Sequence, residues 1–349
     1  MKERFHEFDY FRGLAISFIV LGHSTSFALP GFPDLMENLL KGGTGLFVFI
    51  SGFFYHRVFH SRIGYRDFLK KKLLALAVPL LVFTLIGLIG KSYIWMDRGE
   101  SVDTMIKYVG YNLANFHVLY PHWYIPFILI TFTCAPLHSA YIRLSPAWQL
   151  GLLIVFSAIS MVLHRPHGNS NMLQNLIYFT PYYLMGILCS LYHQEMLARR
   201  KLIAGVSFFV MMYTLLGQTY GSIHIGNYHK DFFDWEGFDL QFLQTLAACL
   251  FYLELCRLIK WPWLKAHMHW LAVLSFPIFF IHPLFTMVLE NAAYSPYKAW
   301  CMDLIKEYGQ VANQFNFVLS SIIQLYGSAF VAMGLKRLLK EKSHWVIGR

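Results

Sequence analysis

The sequence predicts an all-α membrane protein, with about ten helices crossing the bilayer and both termini on the cytoplasmic side. Three observations carry this. Of 349 residues, 56% are hydrophobic and only 14% are charged, whereas a soluble domain has about 45–50% and about 25%. The apolar residues gather into runs of about 20, the length needed to cross a hydrocarbon core of about 30 Å. The basic residues stand in short clusters between those runs, as they do in chains threaded through membranes.

The expected spans are 12–30, 44–60, 73–95, 122–142, 148–163, 175–192, 202–222, 239–257, 270–290 and 313–334. Together they form one transmembrane domain over residues 1–349, with no stretch left for a soluble one. The first run is expected to be kept as a span rather than cleaved as a signal peptide. Gly22-His23-Ser24-Thr25-Ser26 breaks its second half, and no clean small-x-small site follows. Segment 99–120 is different. Ile106, Val109, Leu113 and Phe116 recur at helical spacing among polar residues, which predicts a helix lying on the outer interface.

Charge sets the orientation. The net charge of +10 is not that of a nucleic-acid binder, because it is spent at the ends of apolar runs. With the N-terminus inside, the inner segments hold Lys2, Arg4, Arg12, the cluster Arg57–Lys72, Arg143, Arg199–Lys201, Arg257, Lys260, Lys265 and the Lys336–Arg349 group. The outer side holds Lys41, Lys91, Arg98, Lys107, Arg165, Lys230, Lys298 and Lys306. That asymmetry follows the positive-inside rule. The five cysteines predict no disulfide: Cys134, Cys189, Cys249 and Cys256 sit inside apolar runs, and Cys249 and Cys256 are two helical turns apart, about 10 Å. His164-x-x-His167 and His267-x-His269 lack the further ligands of a zinc site, so no metal is expected.

Chemistry concentrates in the first span. Arg12 and His23 are separated by eleven positions. At 100° per residue this puts them within about 20° of one helical face, about 16 Å apart along the axis. Asp9 lies one turn below Arg12, within reach of its guanidinium. Ionisable groups at such depth are costly and normally face a protein interior or a watery cavity. The bland alternative is that Arg12 snorkels to the inner headgroups and His23 packs against a neighbouring helix.

Four stretches carry a family resemblance. "FDYFRGLAISFIVLGH" (8–23) resembles the opening of the acyltransferase-3 family of bacterial membrane acyltransferases, with its Asp, Arg-Gly and His at Asp9, Arg12, Gly13 and His23. "GLFVFISGFFY" (45–55), "HWYI" (122–125) and "LSFPIFFIHPLF" (274–285) are similar to its second-span Ser-Gly-Phe, fourth-span His-x-Trp and late His-Pro patterns. The stretches come in the family's order along the chain. Two departures stand out. Lys70, Lys71 and Lys72 occupy the start of the third span, where the family often carries Arg, and Phe280 stands where a Tyr is common, with Pro277 expected to interrupt the helix.

The resemblance implies a stand-alone O-acyltransferase of the bacterial inner membrane. It would take acetyl from cytoplasmic acetyl-CoA to a hydroxyl of a surface glycan or its lipid-linked precursor. His23 is then the catalytic group, either as a base that takes the sugar hydroxyl's proton or as a covalent acyl relay. Arg12 orients the donor or pairs with Asp9, rather than moving protons. Arg57, Arg66, Lys70, Lys71 and Lys72 suit the donor's phosphates. His282, about 18 Å deep in the ninth span and so level with His23, is a candidate for the acceptor side, with His122, Trp123 and Ser51. The plainer roles are packing for Ser51 and His282 and belt anchoring for Trp123. Glu254 is expected to pair with Arg257. Membrane lipid and the glycan are the expected partners, nucleic acid is not, and a homo-oligomer is left open. The rival reading is a transporter or flippase for a glycan lipid or anion, since intramembrane Arg and His suit a transport path equally well. A weaker third is a non-enzymatic partner in polysaccharide assembly. The sequence lacks the inverted repeat and paired broken helices of many transporters.

Overall fold

In a computed structural model of the chain, residues 5–27, 32–221 and 229–348 are described. Lys2, Arg4 and Arg349 of the charge argument, and the span residues 28–30 and 222, lie outside these. The described chain is helical almost throughout, and its only extended pairing is the single bridge between Arg165 and His229.

The helices run in order as α1 His6–Ser24, α2 Asp34–Leu40, α3 Gly43–Phe54, α4 Tyr65–Asp97, α5 Val102–Ala114, α6 Tyr124–Thr133, α7 Ala135–Ile142, α8 Pro146–Leu163, α9 Met172–Leu191, α10 His193–Ala198, α11 Arg200–Tyr220, α12 Leu240–Arg257, α13 Pro262–Glu290, α14 Tyr297–Leu339 and α15 Ser343–Val346. Local chemistry explains several starts. Ser101, Asn171 and Asp239 each accept a backbone N–H of the first turn of α5, α9 and α12, which satisfies a donor that helix geometry leaves unpaired. Gly309, at φ +60°, breaks α14 into two helical stretches.

Length and apolarity alone mark five of these as able to cross a membrane: α4, α8, α11, α13 and the stretch from α14 to Val346. The pair α6 and α7, bent by 54° at their junction, makes a sixth if taken as one span. This is fewer than the ten expected, and the difference has a physical cause. The other expected spans also form helices, but α3 is only 12 residues long, and α9 and α12 are rich in buried polar groups. Gln174 and Asn175 of α9 and Gln241 and Gln244 of α12 are buried, and such residues depress the mean apolarity of a helix. The surface shows the reverse. Leu81, Leu85 and Ile89 of α4 are 63%, 62% and 73% exposed, spaced four residues apart on one face. Apolar side chains outside and paired amides inside are what a hydrocarbon solvent favours.

Three sequence expectations change in detail. The third span, expected over 73–95, begins earlier, with Arg66 and Lys70–Lys72 in the first turns of α4. Pro277 does not interrupt α13, which continues from Pro262 to Glu290 with Pro277 and Pro283 inside it; Lys336 Nζ donates to the Val273 carbonyl, which Pro277 leaves without a helical partner, at 3.4 Å. The interfacial segment forms α5 alone, with Val102, Ile106 and Tyr111 exposed.

The chain divides into two compact units: Met1–Ile19 with Asp34–Lys72 and Phe127–Ala272, and Val20–Pro33 with Leu73–Pro126 and Val273–Arg349. In the first, α3 packs closely on α9, and α9 on α8, with α11 against α12. The α3–α9 approach depends on glycine. A Cβ at Gly52 would meet the Tyr183 carbonyl oxygen at 2.1 Å, and one at Gly186 would meet that of Phe49 at 2.1 Å. In the second unit a polar seam runs along α14: Ser320, Ser321, Gln324 and Ser328 are all buried.

Candidate functional site

Within the second unit, the end of α1 and the middle of α13 bring two imidazoles together. His23 Nδ1 lies 3.1 Å from His282 Nε2, and the rings are almost parallel, with centroids 5.3 Å apart and planes 9° from each other. His282 is fully buried. Its other nitrogen, Nδ1, donates to the Ile278 carbonyl at 2.9 Å.

Tyr120 packs edge-on against both rings, 4.3 Å from His23 and 5.8 Å from His282 between centroids. Its hydroxyl is 3.3 Å from Thr286 Oγ1. Thr286 donates to Gln324 Oε1 at 2.7 Å, and Gln324 Nε2 donates to Ser24 Oγ at 3.0 Å. The imidazole pair therefore sits against a chain of hydrogen bonds in which three of the members, Ser24, Thr286 and Gln324, are buried. Such a network fixes ring orientation because every misplacement strands a polar group.

The other acceptor-side candidates have partners of their own. His122 is buried in the same unit, with Nδ1 3.4 Å from Thr84 Oγ1 and Nε2 lacking a hydrogen-bond partner among the described residues. Its ring is tilted over Phe280 at 6.3 Å. Trp123 is only 6% exposed and packs edge-on against Tyr124, so it is a core residue and not a belt anchor. Ser51 belongs to the first unit, where its hydroxyl donates to the Phe47 carbonyl of its own helix at 2.9 Å.

The cationic candidates lie in the first unit. Asp9 acts electrostatically on Arg12, one turn away, and its Oδ2 is 3.6 Å from His269 Nδ1. The Arg12 charge in turn acts on Lys72. Lys72 Nζ lies over the rings of Phe59 at 4.4 Å and Phe132 at 5.0 Å, two cation–π contacts that hold a charge in an apolar setting. Arg57 lies over Phe5 at 4.8 Å. Of the basic cluster, Lys72 and Arg57 turn inward, while Arg66, Lys70 and Lys71 are exposed. Phe59 ends a π-turn, Tyr55–Phe59, that continues α3. Glu254 pairs with Arg257, whose Nε is also 3.6 Å from Glu7. Among the described residues no three His, Cys, Asp or Glu side chains gather as a metal site.

Comparison with known proteins decides the class. The family described as an acyltransferase domain, acyltransferase-3, matches residues 5–335. The chain belongs to that family. No curated protein and no solved structure matches it. This acyltransferase-3 protein is thus a membrane acyltransferase, and its multi-pass character agrees with the apolar helices described above.

Sequence reasoning named His23 and His282 but missed what surrounds them. Ser24, Tyr120, Thr286 and Gln324 had a weak signal, being polar groups within or at the edge of apolar runs, and nothing local said which of them would meet. The sequence offers His269 only as half of His267-x-His269, with nothing to pair it with Asp9.

Proposed function

We propose that this protein is an O-acyltransferase of the bacterial inner membrane, carrying acetyl from cytoplasmic acetyl-CoA to a hydroxyl of a cell-surface glycan or its lipid-linked precursor. The observation that supports this most directly is the hydrogen bond between His23 and His282, set in a family of acyltransferases. A sugar hydroxyl is a poor nucleophile at neutral pH, and a neutral imidazole oriented by a second one is a suitable base. As the sugar oxygen bonds to the thioester carbon, His23 takes the hydroxyl proton. As the C–S bond breaks, the imidazolium returns that proton to the leaving thiolate, and coenzyme A departs as the thiol. The relay variant uses the same ring as nucleophile, so that the acetyl rests on His23 before the sugar attacks.

Arg12 remains charged throughout, and in this reading it binds rather than moves protons. With Lys72 and Arg57 it offers a cationic group for the anionic donor. In this reading the basic start of α4 is on the donor's side, which the positive-inside rule supports.

The test is release of coenzyme A from acetyl-CoA by the purified protein when supplied with envelope glycan from otherwise identical cells that lack the gene, with mass analysis of the glycan. His23→Ala should abolish both release and the gain of acetyl while the protein still folds. Normal acetylation by His23→Ala would remove the assignment. Glycan export without any acetyl gain would favour a transporter.

A further inference from the structure

The residue after His282 is Pro283. Proline has no N–H, so the Phe279 carbonyl four residues earlier loses its helical partner. His282 turns Nδ1 to this part of the helix. It bonds the Ile278 carbonyl at 2.9 Å and reaches the Phe279 carbonyl as well. A carbonyl only accepts, so the hydrogen is on His282 Nδ1. The lone pair of the neutral ring is then on Nε2.

That Nε2 is the atom facing His23. Two lone pairs cannot bond each other, so the hydrogen between the rings belongs to His23 Nδ1. The lone pair of His23 is thereby placed on its own Nε2. We propose that His282 is a positioning residue, and that the His282-Pro283 pair sets the tautomer of His23 so that His23 Nε2 is its reactive nitrogen. This rests on the reading of His23 as the group that takes the sugar proton, and it adds which atom does so and what dictates the choice.

Each proton has a fixed place in the step. The sugar hydroxyl gives its proton to His23 Nε2 and the same proton later goes to the coenzyme A sulfur. The hydrogen on His23 Nδ1 stays shared with His282 Nε2, and the one on His282 Nδ1 stays with the backbone carbonyls. His282 carries no proton between donor and acceptor. Its role is to accept, which holds the ring and stabilises the imidazolium that forms. The parallel rings and the Tyr120 edge at 4.3 Å restrict rotation of the His23 ring away from this arrangement.

The experiment is solid-state NMR of protein labelled with ¹³C and ¹⁵N at histidine, in lipid nanodiscs at pH 8, with His23 assigned by comparison with His23→Gln. Both His23 and His282 are expected to carry hydrogen on Nδ1. In His282→Leu, His23 should move to the Nε2–H form and glycan-acetylating turnover should fall about 100-fold, the lower end for loss of a positioned base, with KM for acetyl-CoA unchanged. His282→Gln, whose side-chain oxygen also accepts, should regain most of the turnover and the Nδ1–H signature. His23 found with hydrogen on Nε2 in the unmodified protein would overturn the proposal, as would full turnover in His282→Leu. The tautomer is read without donor or acceptor, so it tests the positioning claim even if the protein transfers no acetyl. An inactive His23→Ala beside an unmodified protein in the Nε2–H form would leave the transferase reading standing and remove this one.

Discussion

Gly186→Ala isolates the contact that holds α9 against α3. The added Cβ would lie 2.1 Å from the Phe49 carbonyl oxygen and 2.8 Å from the Phe53 nitrogen. An ordinary carbon–oxygen contact is about 3.3 Å, so the two backbones must separate by about 1 Å along that line. Both obstacles are backbone atoms of a helix, and no side chain can swing aside to make room. Overpacking of this kind costs about 1–3 kcal/mol, and more when the strain cannot spread. The control is Gly205→Ala in α11, where a Cβ would meet nothing within 4 Å. There the better helix propensity of alanine should stabilise by about 0.5–1 kcal/mol. The assay is thermal unfolding of both variants in the same nanodiscs, followed by circular dichroism. At about 2–4 °C per kcal/mol for a chain of 150–250 residues, and less for a longer one, Gly186→Ala should melt several degrees lower and Gly205→Ala slightly higher. Equal melting temperatures for the two would refute the claim that glycine at 186 is demanded by helix approach.

Arg12→Lys should raise KM for acetyl-CoA several-fold, because a point-like ammonium cannot reproduce a planar fork; unchanged donor kinetics would make Arg12 a helix-end anchor. Lys72→Met keeps the packing over Phe59 and Phe132 but removes a charge on which Arg12 acts. It should also raise that KM, read in the same coenzyme A release assay, and an unaltered value would take Lys72 out of donor binding. Stability should depend on pH through His229, in the segment before α12. Burial, and then the Arg165 charge, lower its pKa to about 3, while its Nδ1–H donates to the Pro166 carbonyl at 2.7 Å. The ring is neutral in the fold, and the unfolded chain takes up a proton below its ordinary value of about 6.5. The unfolded state thus binds more protons between these limits, so stability is full above about pH 6.5 and falls as pH drops towards 3. Melting temperatures from pH 7.5 to pH 4.5 should decline less steeply in His229→Gln, and identical slopes would exclude His229 as the cause.

Much of the helix layout was legible in the sequence because lipid imposes a simple rule. An exposed helix must be apolar, so α4, α8 and α11 announce themselves by composition. The rule weakens for helices that meet other helices. Gln218 of α11 donates to Gln244 of α12 at 2.6 Å, and Gln244 donates to the Asn38 carbonyl at 2.9 Å, pairings that let buried helices carry amides and blur the apolar count. Helix ends were also misplaced where charge misled. The apolar run begins at 73, yet Arg66 and Lys70–Lys72 extend α4 ahead of it, since basic side chains can reach headgroups from a helical turn.

At the candidate site, residue type and depth belonged to the sequence. Helix periodicity put Asp9 within a turn of Arg12, and counting residues put His23 and His282 at equal depth, because rise per residue is fixed along a helix. Depth does not specify which faces meet. That His282 presents Nε2 to His23, that Tyr120 stands edge-on to both, and that Lys72 rather than Lys70 or Lys71 turns inward over Phe59 and Phe132 are set by how separate helices rotate and pack. Periodicity is a property of one helix and its own backbone, whereas a meeting of side chains from α1 and α13 depends on contacts more than 250 residues apart in the chain, and only the folded bundle decides them.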